Sequence, residues 1–471
     1  MSGDERFDRE LRSVLHDLAA DPAPARLVER VASIPAGSPA SAPRRSFARL
    51  ATALAAAAVL VVMAGAVIVT RPGAPSGGGP AAGTSPSTSS TPSPAASPAA
   101  ASPSGSAAVS VGPAGGPVPA GFQAVSATFA SPDLGWALGS GPCATGSCAA
   151  ILRTSDGGRT WESIPAPGTP ISQGPVQPGS TPGVSGLRFA DPLDGWAFGP
   201  DLWATHDGGA TWHRVTVQGM ASAPVVALEA SAGSVHAVFY QTTTQVAVRI
   251  ATSPVGRDAW TLSPTQVPIG AGPVPQTQLV LSGASGWVLQ VDRTVVGGAR
   301  LVNGAWIAWT PPCATVMGPA VLAASSATEL VAACDGGIWG TPPSAGQQGE
   351  HLYASHDGGA TFAQTGTAVP LNGAAAVASP AAGSVLVAGT TAQAAAVAGS
   401  FDGGQTWQTV LQSGQPGGQA AVFTYLGFTT STQGVALTES GAGTGNGQNV
   451  GTLYMTRDGG RTWSAVSFPG Q

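Results

Sequence analysis

Five aspartates recur along the chain in one short phrase, Asp-Gly-Gly-x-Thr followed by an aromatic residue. The aspartates are Asp156, Asp207, Asp357, Asp402 and Asp458, and the aromatic residues are Trp161, Trp212, Phe362, Trp407 and Trp463. A carboxylate in this position can accept hydrogen bonds from the backbone amides that follow it, and the two glycines adopt positive φ at little steric cost. The phrase therefore predicts a tight hairpin turn in which the aspartate has a structural, not a catalytic, role.

The spacing of this phrase predicts an array of repeats. In the long gap between Trp212 and Phe362, Trp260 and Trp306 stand where two degenerate copies should end, so that successive aromatic residues are 45 to 56 residues apart. Seven units of this length fill residues 121–471. A fixed period in this range indicates a repeat architecture in which neighbouring units share a core.

Each unit also carries strand patterns before its turn. Residues 124–129 and 135–138 form such a pair in the first unit, and residues 184–189 and 195–198 do so in the second. Four strands per unit and seven units predict an all-β, seven-bladed β-propeller. We expect the ring to close by packing of the last blade on the first, or by an extra strand from residues 109–122.

The repeated phrase resembles the Asp-box, Ser-x-Asp-x-Gly-x-Thr-Trp, of sialidases, sortilin-type receptors and photosystem II assembly and stability-factor propellers. In the first copy we assign Ser155, Asp156, Gly158, Thr160 and Trp161 to this pattern. Over about residues 124–466 the chain is most similar to the seven-bladed assembly-factor propellers. The resemblance implies the fold more strongly than an activity, because such propellers include both enzymes and binding proteins.

The resemblance to sialidases implies a defined catalytic set: three arginines that hold a carboxylate, a Tyr–Glu nucleophile pair and an acid/base aspartate. Sialidases have six blades, and their Arg-Ile-Pro signature is missing from this sequence. The candidate central arginines are Arg188, Arg249, Arg257, Arg293 and Arg300, and the four tyrosines are Tyr240, Tyr353, Tyr425 and Tyr454. We predict no catalytic residue, and an exo-acting glycoside hydrolase of sialidase type remains the alternative to a binding protein.

The composition excludes several other classes of activity. All 19 basic residues are arginine, so the chain has no P-loop lysine, no Schiff-base lysine and no kinase-type catalytic lysine. From residue 121 onward ten arginines stand against seventeen acidic residues, the opposite of a nucleic-acid-binding surface. No cofactor or metal site is predicted. His206 and His356 occupy a variable position of the turns, where an exposed residue is expected.

Four cysteines form two local pairs, Cys143 with Cys148 and Cys313 with Cys334. In an oxidising compartment, two local disulfides are the simplest of the three connectivities that four cysteines allow. A metal site is the alternative, but no histidine lies close to either pair in the sequence. We therefore predict the disulfides Cys143–Cys148 and Cys313–Cys334.

The first 120 residues differ in composition from the rest. Residues 1–45 are a predicted cytosolic tail with a short amphipathic helix, which either stays unbound or docks on a cytosolic partner. Residues 46–71 are a predicted transmembrane signal-anchor helix, because residues 50–70 carry no charge and are long enough to span a bilayer. Residues 72–120 are rich in Pro, Ser, Thr and Ala and are predicted to be a disordered stalk.

The arginines around the apolar segment set the expected orientation. Arg44, Arg45 and Arg49 precede it, and Arg71 follows it. The positive-inside rule then leaves the N-terminus in the cytoplasm and places the propeller outside. The alternative is a twin-arginine export signal beginning at Arg44, which also places the propeller outside the cytoplasm.

These features together predict a membrane-anchored, extracytoplasmic propeller that binds a protein or glycan at a bacterial cell surface. Long connections at residues 165–181 and 342–350 are expected to form its recognition face, because binding residues concentrate in loops on a rigid scaffold.

Overall fold

The computed structural model describes residues 112–469, apart from 144–145, 173–175, 177–178, 242–245, 270–275, 293, 314–319, 335–349, 392–393, 414–420 and 441–450. The predicted cytosolic tail, the transmembrane helix and nearly all of the stalk lie outside these residues. Within the described part, no helix has the length and apolar character needed to cross a membrane.

Seven four-stranded antiparallel sheets make up the described chain, and each contains four consecutive strands. Blade 1 contains β1 (Gln123–Phe129), β2 (Gly135–Cys143), β3 (Gly146–Thr154) and β4 (Glu162–Ile164); blade 2 contains β5 (Gly186–Phe189), β6 (Gly195–Phe198), β7 (Leu202–Thr205) and β8 (His213–Arg214). Blade 3 contains β9 (Val225–Ser231), β10 (Ser234–Gln241), β11 (Ala247–Pro254) and β12 (Thr261–Pro268); blade 4 contains β13 (Gln276–Ser282), β14 (Ser285–Asp292), β15 (Thr294–Val302) and β16 (Ala305–Trp309).

Blade 5 contains β17 (Ala320–Ala324), β18 (Leu330–Cys334), β19 (Glu350–Ser355) and β20 (Ala363–Val369); blade 6 contains β21 (Asn372–Ala381), β22 (Ser384–Thr390), β23 (Ala395–Ser400) and β24 (Gln408–Ser413). Blade 7 contains β25 (Ala421–Phe428), β26 (Gly434–Ser440), β27 (Gly451–Thr456) and β28 (Ser464–Ala465). The all-β, seven-bladed propeller predicted from the repeats is therefore confirmed.

The core lies between the blades. The three tryptophans that follow a glycine in the second strand of blades 1, 2 and 4, Trp136, Trp196 and Trp287, are almost completely buried. Trp136 stacks on Phe189 of blade 2 with ring centroids 3.8 Å apart. The indole of Trp287 donates a hydrogen bond to the carbonyl of Gly358 in blade 5 at 3.0 Å. Each blade thus buries its second strand against the next blade, as a repeat that cannot bury its own faces requires.

The aromatic residues after the turns pack onto the preceding blade. The indole of Trp212 donates to the carbonyl of Pro165, which follows blade 1, at 3.0 Å. Phe362 lies with its ring centroid 6.3 Å from that of Trp309 in blade 4. Trp407 packs against the cluster shared by blades 5 and 6, and Trp463 against the cluster shared by blades 6 and 7.

Each Asp-Gly-Gly turn is held by a circuit of hydrogen bonds, seen first in blade 1. The hydroxyl of Thr154 donates to Asp156 Oδ1 at 2.9 Å and accepts from the amide of Gly158 at 2.8 Å. The same carboxylate accepts from the amide of Thr160 at 2.9 Å and from its hydroxyl at 2.7 Å. The corresponding bonds recur around Asp207, Asp357, Asp402 and Asp458.

The glycines of the turn connect it to the other turn at the same end of the blade. Gly157 and Gly158 have φ values of 73° and 85°, a region that favours glycine. The amide of Gly157 donates to the carbonyl of Asp133, in the turn between β1 and β2, at 2.8 Å. The β1–β2 and β3–β4 turns are joined in this way, and the corresponding bond joins the two turns of blades 2, 5, 6 and 7.

The hydroxyl that serves the first turn was assigned incorrectly from the sequence. Ser155 is exposed, and the side chain that bonds to Asp156 and Gly158 is that of Thr154. The side-chain hydroxyl that bonds to the aspartate and to the second glycine must come from the residue two positions before the aspartate. Ser355 and Ser400 occupy this position in blades 5 and 6.

The two degenerate units form turns of other kinds. In blade 3 the hydroxyl of Ser253 replaces the aspartate circuit by accepting from the amide of Ala259 at 3.0 Å. In blade 4, Asn303 and Gly304 have φ values of 49° and 78° and form a two-residue hairpin loop. Trp306 therefore lies in β16, where it is buried toward blade 3.

The ring closes by packing of blade 7 on blade 1. The rings of Phe122 and Phe468 meet with centroids 5.0 Å apart, inside a cluster shared by the two blades. Arg457 of blade 7 donates to the carbonyl of Gly157 in blade 1. Within residues 112–122, Gly116 forms an antiparallel bridge with Ser163 on the outer strand of blade 1, and these residues add no strand to blade 7.

A disulfide joins Cys313, in the connection between blades 4 and 5, to Cys334 at the end of β18, with Cα atoms 5.8 Å apart. Cys148 is also disulfide-bonded. Since the side chain of Cys143 lies outside the described part of the chain, the pairing Cys143–Cys148 stays a prediction.

We expect Thr154→Val to lower the free energy of unfolding by about 1–2 kcal/mol, because an isosteric side chain without the hydroxyl leaves the amide of Gly158 and one carboxylate bond unsatisfied. Ser155→Ala is the matched control and should change stability by less than about 0.5 kcal/mol. Urea unfolding of both variants measures the difference. Equal effects at the two positions would contradict the assignment of the circuit to Thr154.

The same circuit makes stability depend on pH in the acid range. Partial burial opposes ionisation of Asp156, but bonds from Thr160, Thr154 and the amide of Arg159 outweigh it and lower its pKa from 3.8 to about 2. A carboxyl group whose pKa is lower in the folded state stabilises the fold at any pH above its unfolded-state pKa. This stabilisation is lost as the pH falls through the folded-state pKa. We expect the Tm difference between wild type and Asp156→Asn to be largest above about pH 5 and to shrink toward about pH 2. A constant difference across this range would contradict the mechanism.

Candidate functional site in the central channel

The first strand of each blade contacts the first strand of the next, from β1 through to β25. These strands therefore surround the axis of the propeller, where ligand sites of ring-shaped folds commonly lie. Polar side chains on them also join neighbouring blades. The hydroxyl of Ser126 accepts from the amide of Leu187 at 3.1 Å, and Gln278 bonds to the backbone of Ala320 and Leu322 at 3.0 Å each.

One charged pair lies in the channel between blades 2 and 3. Arg188 on β5 donates through Nε to Oε1 of Glu229 on β9 at 2.7 Å, and through Nη1 to the carbonyl of Leu187 at 2.8 Å. The two side chains are only 13% and 29% exposed. Because charges buried to this extent need partners, each of these residues provides the counter-ion that the other requires.

Tyr425 on β25 completes this cluster from blade 7. The guanidinium carbon of Arg188 lies 5.0 Å from the centroid of the tyrosine ring, within the range of a cation–π interaction. Blade 1 separates blade 7 from blade 2 in the ring, so this contact runs across the channel. Arg188, Glu229 and Tyr425, which we call the channel cluster, thus bring together blades 7, 2 and 3.

The electrostatics of the channel cluster follow from its burial. Desolvation opposes the charge of Arg188, but the carboxylate of Glu229 outweighs it and raises the pKa of Arg188. Burial raises the pKa of Glu229, and the guanidinium opposes that rise. Burial likewise raises the pKa of the Tyr425 hydroxyl, which stays neutral. The cluster therefore combines a permanent cation, its counter-ion and a neutral phenol.

The other arginines considered for a central site lie elsewhere. Arg249 on β11 donates to Gln241 and to the carbonyl of Ser263 at 3.0 Å each, within blade 3. Arg300 on β15 donates to the carbonyl of Gly358, in the turn of blade 5, at 3.2 Å. Arg257 lies in the β11–β12 turn, and Arg293 falls outside the described residues. Of the described candidates, Arg188 alone faces the channel from an innermost strand.

The tyrosines divide in the same way. Tyr240, Tyr353 and Tyr454 are on β10, β19 and β27, which are not innermost strands. Tyr425 is on β25. Glu229, which the sequence analysis did not single out, proves to be the carboxylate next to Arg188. In the sequence, Glu229 is distinguished only as the one charged residue of β9, which is a weak indication of a functional site.

A second feature lies at the end of blade 2 opposite its Asp-Gly-Gly turn. A cavity of about 400 Å³ opens between the β6–β7 turn and the connection from β8 to β9. Its lining includes Asp201 and Arg214, which form an ion pair at 2.6 Å, and the apolar side chain of Met220. Gly179 and Ser180, which belong to the predicted recognition stretch 165–181, also line it.

Comparisons with known proteins give structural matches only. No protein-family model and no curated protein matches the chain. The structure of YCF48 bound to D1 peptide matches with a TM-score of 0.47 at 19% identity, covering 73% of this chain and 95% of that chain. YCF48 from Cyanidioschyzon merolae matches with a TM-score of 0.46 at 16% identity, covering 73% and 98%.

The GH74 enzyme of Niastella koreensis matches with a TM-score of 0.39 at 13% identity, covering 74% of this chain and 72% of that chain. At these identities the likeness concerns the fold alone.

We expect Glu229→Gln to lower the free energy of unfolding by about 2–3 kcal/mol, because it leaves the charge of Arg188 in the channel without its counter-ion. Arg214→Met, at an ion pair whose arginine side chain is 60% exposed, is the control and should cost about 0–1 kcal/mol.

The double variant Arg188→Met/Glu229→Leu tests whether the loss comes from an uncompensated charge. It should be more stable than Glu229→Gln alone, since replacing both ions removes the need for a counter-ion. Urea unfolding provides the comparison. A double variant that is less stable than the single one would show that packing, not charge, dominates.

Proposed function

We propose that this chain is a non-catalytic binding protein, anchored in the membrane and exposed outside the cytoplasm, which recognises a protein or glycan through the cavity of blade 2. The observation that carries the proposal is that residues of the stretch 165–181 form part of the cavity wall. The length of this connection predicts a part in recognition, and Gly179 and Ser180 line the cavity.

The cavity has the properties of a recognition site. Its volume of about 400 Å³ falls within the range of small-ligand pockets, roughly 300–1,000 Å³. Arg214, the exposed partner of the Asp201–Arg214 ion pair, offers a charged group to a polar ligand, and the side chains of Met220 and Phe239 line the cavity with apolar atoms. A glycan or an extended peptide needs this combination of apolar contact and oriented hydrogen bonding.

The pairing of Glu229 with Arg188 favours binding over hydrolysis. Glycoside hydrolysis requires two acid/base or nucleophilic groups placed about the scissile bond, one of them a carboxylic acid that protonates the leaving group. Glu229 is the one acidic residue on the innermost strands as described, and Arg188 already binds it. A substrate carboxylate would have to displace Glu229 to reach the guanidinium.

A sialidase-type hydrolase is the second candidate, and one observation favours it. The channel cluster places an arginine, a glutamate and a tyrosine together, three of the residue types that sialidases use. The other two arginines of the expected set and an acid/base aspartate do not accompany them among the described residues of the innermost strands.

The test uses the full-length chain, kept in detergent, in two assays: turnover of sialosides and aryl glycosides, and binding to a glycan array and to extracytoplasmic proteins. We expect no turnover and a retained ligand. Ser222→Trp, which places a large side chain at the cavity, should weaken binding more than about tenfold, corresponding to about 1.4 kcal/mol.

Ser431→Trp in the β25–β26 turn of blade 7 is the matched control, since it adds the same side chain at an exposed site away from blade 2. It should leave binding unchanged. Turnover that disappears in both Glu229→Gln and Tyr425→Phe, with the fold retained, would replace the binding proposal with the hydrolase.

A further inference from the structure

Two histidines and an aspartate from two different blades lie close together at the end of blade 2 that carries its Asp-Gly-Gly turn. His206 follows β7, His213 begins β8, and Asp258 lies in the β11–β12 turn of blade 3. Oδ2 of Asp258 is 2.6 Å from Nε2 of His213 and 3.4 Å from Nε2 of His206. One candidate ligand atom from each residue lies within 4.8 Å of the other two.

The fold explains why the three side chains meet. The Asp-Gly-Gly turn of blade 2 reverses the chain between His206 and His213, so that their ring centroids lie 5.6 Å apart. In blade 3, Ser253 holds the turn in place of an aspartate circuit, and the carboxylate of Asp258 instead reaches the histidines of blade 2. The degenerate repeat thus contributes a carboxylate to its neighbour.

Asp194, in the β5–β6 turn, orients the first histidine. Its Oδ1 lies 2.5 Å from Nδ1 of His206, and its backbone amide is held by Asp191 at 2.9 Å. A proton on Nδ1 leaves the lone pair of Nε2 pointing toward Asp258. In metal sites, a carboxylate usually accepts a hydrogen bond from the histidine nitrogen that does not bind the metal, and this bond fixes the orientation of the ring.

We propose that His206, His213 and Asp258 bind a zinc ion that links blades 2 and 3, with Asp194 orienting His206. Two imidazoles and a carboxylate suit Zn²⁺ and disfavour Mg²⁺ and Ca²⁺, which prefer oxygen ligands. Tetrahedral coordination at about 2.0–2.1 Å places ligand atoms roughly 3.3 Å apart. The 3.4 Å between Asp258 and His206 already fits this spacing, whereas Asp258 and His213, at 2.6 Å, have to move apart on binding. A fourth position is left for water.

Access to the site is open. The side chains of His213, His206 and Asp258 are 51%, 30% and 28% exposed, so an ion can enter from solvent and the rings can adjust. The turn position of His206 predicts an exposed residue without a role as a ligand. The nearness of Asp258, which is 52 residues further along the chain, was not visible from local spacing.

Blade 5 contains half of the same arrangement and provides an internal control. His356 occupies the same turn position as His206, and its Nδ1 lies 2.6 Å from Oε2 of Glu329 in the β17–β18 turn. The position that corresponds to His213 is Ala363. Blade 5 therefore has the oriented histidine without the second imidazole.

The test is zinc binding by the full-length chain, stripped with chelator and kept in detergent, followed by calorimetry with ZnCl₂ and by Tm with and without zinc. We expect one Zn²⁺ per chain and a higher Tm in zinc, because a ligand that binds the folded state stabilises it. His213→Ala and Asp258→Ala should each weaken zinc binding at least about tenfold, and Asp194→Asn should weaken it by about 10- to 100-fold.

His356→Ala is the matched control and should bind zinc as the wild type does. Because the side chains of His213 and Asp258 are 51% and 28% exposed, their variants should keep the wild-type Tm in chelator, which shows that they are folded. The proposal is overturned if zinc does not bind saturably, or if the His213 and Asp258 variants bind it as tightly as the wild type.

Discussion

The five blades with an Asp-Gly-Gly turn depend on how that turn satisfies its backbone amides. A reversal through two glycines exposes N–H groups that the strand ladder cannot use, and an unpaired amide is costly in a packed structure. Thr154 and Asp156 accept them in blade 1, while Gly157 bonds to Asp133 in the other turn. With both turns locked, the aromatic residue that follows is directed at the preceding blade. In these five blades the turn therefore fixes the position of the aromatic residue that packs on the preceding blade.

The architecture was predictable because its determinants are local and repeated. The Asp-Gly-Gly phrase recurs in five units, and its period locates the two degenerate units between them, so that the count of seven could be predicted. The errors arose where one chemical role can be met in two ways. Ser155 resembles the serine of the pattern, yet Thr154 has the required spacing. Trp306 marks a unit correctly, although Asn303 and Gly304 form a different turn.

The candidate sites were much less predictable, because they join residues that only the ring brings together. Arg188 was one of five candidate arginines, and its partners Glu229 and Tyr425 come from two other blades. No local spacing shows that blade 7 and blade 2 face each other across a channel. Asp258 likewise meets His206 only because adjacent blades present their turns at the same end. Such contacts depend on blade number, twist and register together.

The way the ring closes leaves it without a fixed starting point. Each blade is one uninterrupted stretch of chain, and Phe122 and Phe468 at the two ends of the propeller touch. Joining those ends and opening the connection between any other two blades would rebuild the same circle, as circular permutation at surface connections commonly allows. Duplication or loss of a single segment adds or removes a whole blade without disturbing a shared strand. Propellers of this design can therefore change their size and order through simple genetic rearrangement.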